Sequence, residues 1–216
     1  MVPAYFKWNE ISTCLRGEKM NKAEIMKNTL KKSSAECINA LRDADIYSLV
    51  LLIFPFEDEP SVMLGYNTED YADCLGSECV DSDDGDMDGF PSKETCRWDY
   101  SYWTQTEAMI FPEDEDTSEM RSQWINEMGG IEPDMENSKH YDDVDRVYDA
   151  FKEMLLEIVK EIHEEKVLTK KLGRELPILI HEGEYTDEVA TLNIKANGGE
   201  LVREFVEWIN QGGPCI

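Results

Sequence analysis

The 216 residues carry 47 acidic against 21 basic side chains, a net charge of −26, with 41% hydrophobic and 10% aromatic residues. A field of that sign repels phosphate backbones and anionic membrane surfaces, which disfavours direct nucleic-acid or membrane binding and leaves either a solvated acidic surface or a docking face for a basic protein. The apolar and aromatic content argues against global disorder, and the length suits one domain over residues 1–216 rather than two.

Trp8, Ile11 and Leu15 stand at helical spacing and predict a brief helix ended by Gly17. The opening stretch Met1 to Trp8 lacks the basic segment, apolar core and cleavage site of a secretory signal, and the longest apolar run, Leu49 to Phe54, is far below the roughly 20 residues that span a bilayer. The expectation is a cytosolic, cytoplasmic protein whose cysteines, Cys14, Cys37, Cys74, Cys79, Cys96 and Cys215, stay reduced.

Asn21-Lys22-Ala23-Glu24 has the form of a capping box, and Met26, Leu30, Ser33, Cys37 and Leu41 continue it as a helical stripe to Asp43 or Asp45. Ile46 to Pro55 is β-branched and aliphatic on both faces, as a central strand covered on both sides would be. After Phe56-Glu57-Asp58-Glu59, the mixed run Pro60 to Asn67 reads as a second strand nearer an edge, and the two as a hairpin. Asn67 to Tyr71 then offers an N-cap with an acidic first turn and predicts a short helix through Leu75.

From Glu78 to Glu94 a Ser/Asp/Gly cluster with few apolar residues predicts an inserted, mobile acidic loop. Arg97 to Trp103 alternates as a strand would, yet Asp99 also suits the cap of a helix carrying Tyr102, Trp103 and Met109 inward. The helix, from about Tyr100, is the preferred reading. The run Glu113-Asp114-Glu115-Asp116 precedes a helical Ser118 to Glu127 closed by Gly129-Gly130. Residues 131–140 look irregular.

The strongest helix begins near Tyr141 and carries Val144, Val147, Phe151, Leu155, Ile158 and Ile162 at steps of three and four, ending around Lys166 to Gly173. Leu176 to His181 predicts a strand in the same sheet as Leu49 to Phe54. Asp187 to Lys195 has no clear type, and a last helix over Leu201, Phe205, Trp208 and Ile209 stops at Gly212-Gly213-Pro214. Without strict βαβ alternation, the class is α+β: a small, mainly antiparallel sheet with helices packed on it.

Asp84-x-Asp86-x-Asp88-Gly89 matches the first half of a calcium loop, but Thr95 stands where the bidentate acid belongs, Glu94 comes one place early, and Pro91 replaces the usual aliphatic residue. Asp84, Asp86 and Asp88 are therefore a candidate calcium site beside the plainer reading of a solvated loop. Cys74-x4-Cys79 with Cys96 lacks the two-residue knuckle and a nearby histidine for zinc. His140, His163 and His181 are dispersed; His181-Glu182-Gly183-Glu184, at a strand end, is the one placed for a cleft. No nucleophile elbow, phosphate loop or dinucleotide fingerprint occurs. No catalytic residue is assigned. Trp98, Tyr100, Tyr102 and Trp103 supply either a peptide anchor or core.

Asn67-Thr68-Glu69, the Arg97-Trp98 pair with Trp103 five residues on, and Ile178 to Ile180 followed by acids carry a resemblance to a bacterial family, the domain of unknown function 4303. The likeness runs from the first long helix to the last, with the long acidic insert as a departure. It implies an α+β domain without an established activity, some of whose relatives stand beside toxin genes as immunity proteins do. The reading that follows is a non-enzymatic binding module, an immunity-type inhibitor of a basic toxin, with Glu113, Asp114, Glu115, Asp116, Trp98 and Trp103 as candidate partner contacts. The alternative is an enzyme or calcium-dependent domain whose site is assembled only in space.

Overall fold

The structure, a computed structural model, describes residues 21–42, 45–56, 58–78, 92–104 and 108–213. Its centre is β1 (Ile46–Phe56), which pairs antiparallel with β2 (Glu59–Thr68) on one side and parallel with β4 (Ile178–His181) on the other. A short β3 (Ala108–Phe111) adds antiparallel to β2 and completes the order β3-β2-β1-β4. The expected hairpin and the shared sheet of Leu49 and Ile178 are both present. Because side chains alternate across a strand, Leu49, Leu51 and Ile53 enter one core while Val50 enters another, so the double-sided apolar run is needed on both faces.

The first core lies under α1 (Lys22–Ala40), α4 (Glu115–Glu127), α5 (Ser138–Glu164) and α6 (Val167–Leu172). Asn21 caps α1, its side chain accepting from Ala23 N–H. Phe151, Leu155, Ile158 and Ile162 of α5 are buried at helical spacing, as their periodicity requires. Lys27 and Lys31 of α1 bridge Glu157 and Glu161 of α5 and its C-cap Glu165, and tie the two helices along their wet edge.

The second core, on the opposite face, collects Tyr47, Ala72 of α2 (Glu69–Glu78), Trp98 of α3 (Lys93–Trp98), Trp103, Ala190 of α7 (Asp187–Asn197), and Phe205, Trp208 and Ile209 of α8 (Arg203–Asn210). A Cβ on Gly65 would lie 3.2 Å from both Tyr100 Cε2 and Val50 Cγ1, so glycine there lets the Tyr100 ring rest on β2.

The helix expected from about Tyr100 is corrected. Asp99 does act as a cap, accepting from Ser101 N–H, but the turn it starts is a 3-10 turn of three residues, Tyr100–Tyr102, and the chain next enters β3, where Ile110 and Phe111 are fully buried. Sheet pairing with β2 outweighs the local cap. Glu78 closes α2 and Glu94 lies inside α3, so the ends of the stretch expected as a loop are helical. Residues 79–91, with Asp84, Asp86 and Asp88, lie outside the described residues, as do Cys79, Cys14, Cys215 and the segment carrying Trp8, Ile11 and Leu15. No helix among the described residues is long and apolar enough to cross a membrane.

The free edge of β4 is closed by side chains. Asn193 on α7 accepts from Ile180 N–H and donates to Ile180 C=O, both at 2.8 Å, and Asn197 does the same with Ile178 at 2.7 and 2.9 Å. Four residues of helix rise about 6 Å and two residues of strand about 6.6 Å, so amides at i and i+4 meet alternate strand residues in register. They stand in for a fifth strand and remove an edge open to pairing.

Asp143 fastens the segment before α5: it accepts from Glu132 N–H at 3.1 Å and from Arg146 at 3.0 Å, while Arg146 also donates to the Met128 and Gly130 carbonyls. Hydrogen bonds from Lys139 and Arg146 hold its carboxyl down to about 2. A carboxylate depressed in the folded state contributes stability above its unfolded value near 4 and loses it as the pH falls toward 2. Asp143→Asn should therefore flatten this part of the acid-unfolding curve, leaving stability less dependent on pH between about 4 and 2 than in the wild type; an unchanged acid limb by circular dichroism would contradict it.

Candidate functional site

Asn67, Glu69, Arg97 and Trp103 meet around Tyr47. Asn67, at the end of β2, donates to the Tyr47 hydroxyl at 2.9 Å, and that hydroxyl donates in turn to the Arg97 carbonyl. Trp103 Nε1 donates to the same carbonyl at 3.0 Å. The Arg97 guanidinium grips Glu69 with both terminal nitrogens and lies 4.0 Å over the Tyr47 ring. Burial drives the Tyr47 hydroxyl well above its ordinary value. The knot fastens α3 to the hairpin. Trp98 and Trp103, 5% and 1% exposed, sit inside it and offer no surface to a partner, which assigns them to packing rather than anchoring.

The acidic run divides into exposed residues and a helix cap. Glu113, Glu115 and Asp116 are exposed at the start of α4, but Asp114 is its N-cap, accepting from Thr117 N–H at 2.9 Å within a reciprocal capping box. Its hydrogen bonds to Thr117 lower its carboxyl, whereas burial, with Glu36 and Asp114 as like charges, raises that of Glu113. Asp114 is thus a structural residue inside a partner-facing candidate stretch, and its loss costs about 0.5–2 kcal/mol.

A cleft of about 740 Å³ opens at the carboxyl end of β4, between α5 and α7. Ligands favour the carboxyl ends of parallel strands because the chain must leave the sheet there and open a crevice. Ile53 and Ile180 form its apolar floor. Asp149 and Glu153 project from α5, Glu182 and Glu184 from the loop after β4, and Asp187 and Glu188 from the first turn of α7, against the two lysines Lys152 and Lys195. Lys152 lies 3.1 Å from Asp149 and 3.2 Å from Glu182. Burial lowers its pKa, but those two carboxylates more than offset this and leave it raised. A second cleft of about 520 Å³ shares Ile53, Asp149, Lys152 and Glu182 and reaches Asp58, Asp145 and Tyr148.

His181 lines the larger cleft but is 3% exposed, and burial pushes it down to about 4. Its Nδ1 accepts from Gly183 N–H at 2.9 Å, and Tyr100 and Tyr185 pack at 5.8 and 5.2 Å between ring centroids. Tyr185 in turn reaches Asp99 at 3.3 Å. A neutral ring with Nδ1 occupied suits closure of the cleft floor. His163 bridges Glu175 and Asn197, and His140 meets the Glu132 carbonyl, so the three histidines stay apart. Among the described residues no group of three His, Cys, Asp or Glu is placed to hold a metal ion.

The chain matches no protein-family model, no curated protein and no solved structure.

The cleft was invisible along the chain because its acids come from three separate stretches. The one signal at hand was the strand end His181-Glu182-Gly183-Glu184, which marks its mouth.

Proposed function

We propose that the protein is a cytoplasmic, non-enzymatic binding module for a basic protein, of the immunity type that the likeness to the domain of unknown function 4303 implies. The observation that carries this reading is the acidic cleft, where six carboxylates face two lysines on an apolar floor. Low-dielectric walls concentrate such a field and draw cationic groups toward it. The net charge of −26 extends the attraction, screened beyond about 8 Å at 0.15 M salt. Exposed Glu113, Glu115 and Asp116 follow β3, at the sheet edge opposite β4, and add a second acidic patch.

The test is association kinetics with a partner recovered from the native host. Raising salt should slow association far more than it speeds dissociation. Reversing Glu113, Glu115 and Asp116 to lysine, with Asp114 kept for its cap, should cut the on-rate about tenfold while the melting temperature moves little. An acidic partner, or binding indifferent to salt, would return the acidic surface to a role in solubility.

A further inference from the structure

The chain contains a single Asn-Gly step, Asn197-Gly198, and it falls on one of the two amides that close the edge of β4. Asparagine is chemically labile because the next residue's backbone nitrogen can attack its amide carbon Cγ and form a five-membered succinimide. Glycine in the next place leaves that nitrogen unhindered and the backbone free to turn.

The fold blocks each requirement of this reaction. Asn197 is the last residue of α7, and its amide fills its whole hydrogen-bonding capacity. Oδ1 accepts from Ile178 N–H at 2.7 Å and from His163 Nε2 at 3.1 Å, while Nδ2 donates to the Ile178 carbonyl at 2.9 Å and the Asn193 carbonyl at 3.2 Å. Both carbonyls can only accept, which fixes the nitrogen end of the amide and makes His163 the donor. The attacking group is held as well: Gly198 N–H donates to the Ile194 carbonyl at 2.9 Å and closes the helix. Asn197 is buried whereas Gly198 is exposed, so base in solution reaches the nucleophile once the pair comes apart. Bringing the Gly198 nitrogen to Cγ means breaking the helix bond and swinging the amide off β4.

We propose that Asn197 is a conformationally gated deamidation site, unreactive while α7 lies on β4 and converted irreversibly when that contact opens. In the open chain the Gly198 nitrogen gives its proton to solvent base and attacks Cγ. The new bond from Cγ to that nitrogen replaces the bond from Cγ to Nδ2, and Nδ2 leaves as ammonia with a proton taken from water. Water then adds to either succinimide carbonyl and yields aspartate or isoaspartate. The product cannot reclose the edge. Its carboxylate still accepts from Ile178 N–H and His163 but meets the Ile178 and Asn193 carbonyls with like polarity, and isoaspartate also lengthens the backbone. β4 then stays open to pairing with another chain. The site does not depend on the binding-module reading.

The test is incubation of the full chain near neutral pH, folded and in denaturing urea, with peptide mapping by mass spectrometry that separates asparagine, aspartate and isoaspartate at residue 197. In urea Asn197 should convert faster than the chain's other asparagines, and in the folded chain at least about a hundredfold more slowly, because only the open fraction reacts. Asn193→Leu weakens the same edge and keeps the Asn-Gly step, so it should raise the folded-state rate at least about tenfold. If that variant does not fold, the wild type in urea below its unfolding transition replaces it, and conversion should already climb there. Asn197→Asp, which supplies the product directly, should unfold at lower urea and self-associate. Conversion as fast in the folded chain as in urea, none in either, or an Asn197→Asp variant with the wild-type midpoint would each overturn the proposal. A rate that rises only with global unfolding would overturn the gate at this edge.

Discussion

Leu51→Asp is expected to abolish cooperative folding. Leu51 is fully buried at the middle of β1, opposite Leu64 of β2 and Ile180 of β4, both within 2% of full burial. A carboxylate there loses its hydration and meets only aliphatic neighbours in return, which costs several kcal/mol against a total stability of about 5–15 kcal/mol. The register leaves no escape: β1 is covered on both faces, so a one-residue slip would only carry the new charge into the second core and move every neighbouring side chain to the wrong one. Chemical denaturation followed by tryptophan fluorescence should show no sigmoidal transition in the variant. A soluble mutant that unfolds cooperatively at nearly the wild-type midpoint would remove β1 from the centre of the fold.

The second large effect is expected at the edge of β4. Asn193→Leu keeps approximate volume but strands the Ile180 N–H and C=O, and Asn197→Leu does the same to Ile178. Each change should cost about 2–6 kcal/mol, since an unmet buried polar group costs about 1–3 kcal/mol and two are left each time. The double variant should be largely unfolded or self-associated, because the bare strand edge then offers its backbone to another chain. Asn193→Asp separates hydrogen bonding from packing: the carboxylate still accepts from Ile180 N–H but faces the Ile180 carbonyl with like polarity, so it should be nearly as damaging as leucine. Urea midpoints and light scattering read both outcomes. Single variants within about 0.5 kcal/mol of wild type would make the amide ladder incidental.

What the sequence disclosed follows from how local each cause is. The hairpin was legible because the run from Ile46 to Ile53 in β1 is constrained by burial on two faces, and α5 because its apolar spacing persists over 27 residues. β3 was hidden: four residues are too few to show a period, and Asp99, a genuine cap, pointed to a longer helix than the 3-10 turn it starts. The amide ladder was hidden for a different reason. Asn193 and Asn197 look like polar residues of an ambiguous segment until β4 is placed against them, and a polar residue at a core position is read as a surface residue unless its buried partner is known. Asn67, Glu69, Arg97 and Trp103, far apart along the chain, gather around Tyr47 only in space. The same burial removes Trp98 and Trp103 from the set of partner contacts. At the cleft, only His181 and its acidic neighbours stood out along the chain; Asp149 and Glu153 arrive from a helix about 30 residues upstream, brought there by the parallel pairing of β4 with β1.

The reading of the protein as an acidic module for a basic partner is tested most directly by carboxylate footprinting of the complex, in which exposed Asp and Glu are coupled to an amine with and without the native partner and the sites read by mass spectrometry. Protection is predicted at Glu184, Asp187 and Glu188 in the cleft and at Glu113, Glu115 and Asp116 before α4. An intact complex in which all six react at their free rates would contradict it.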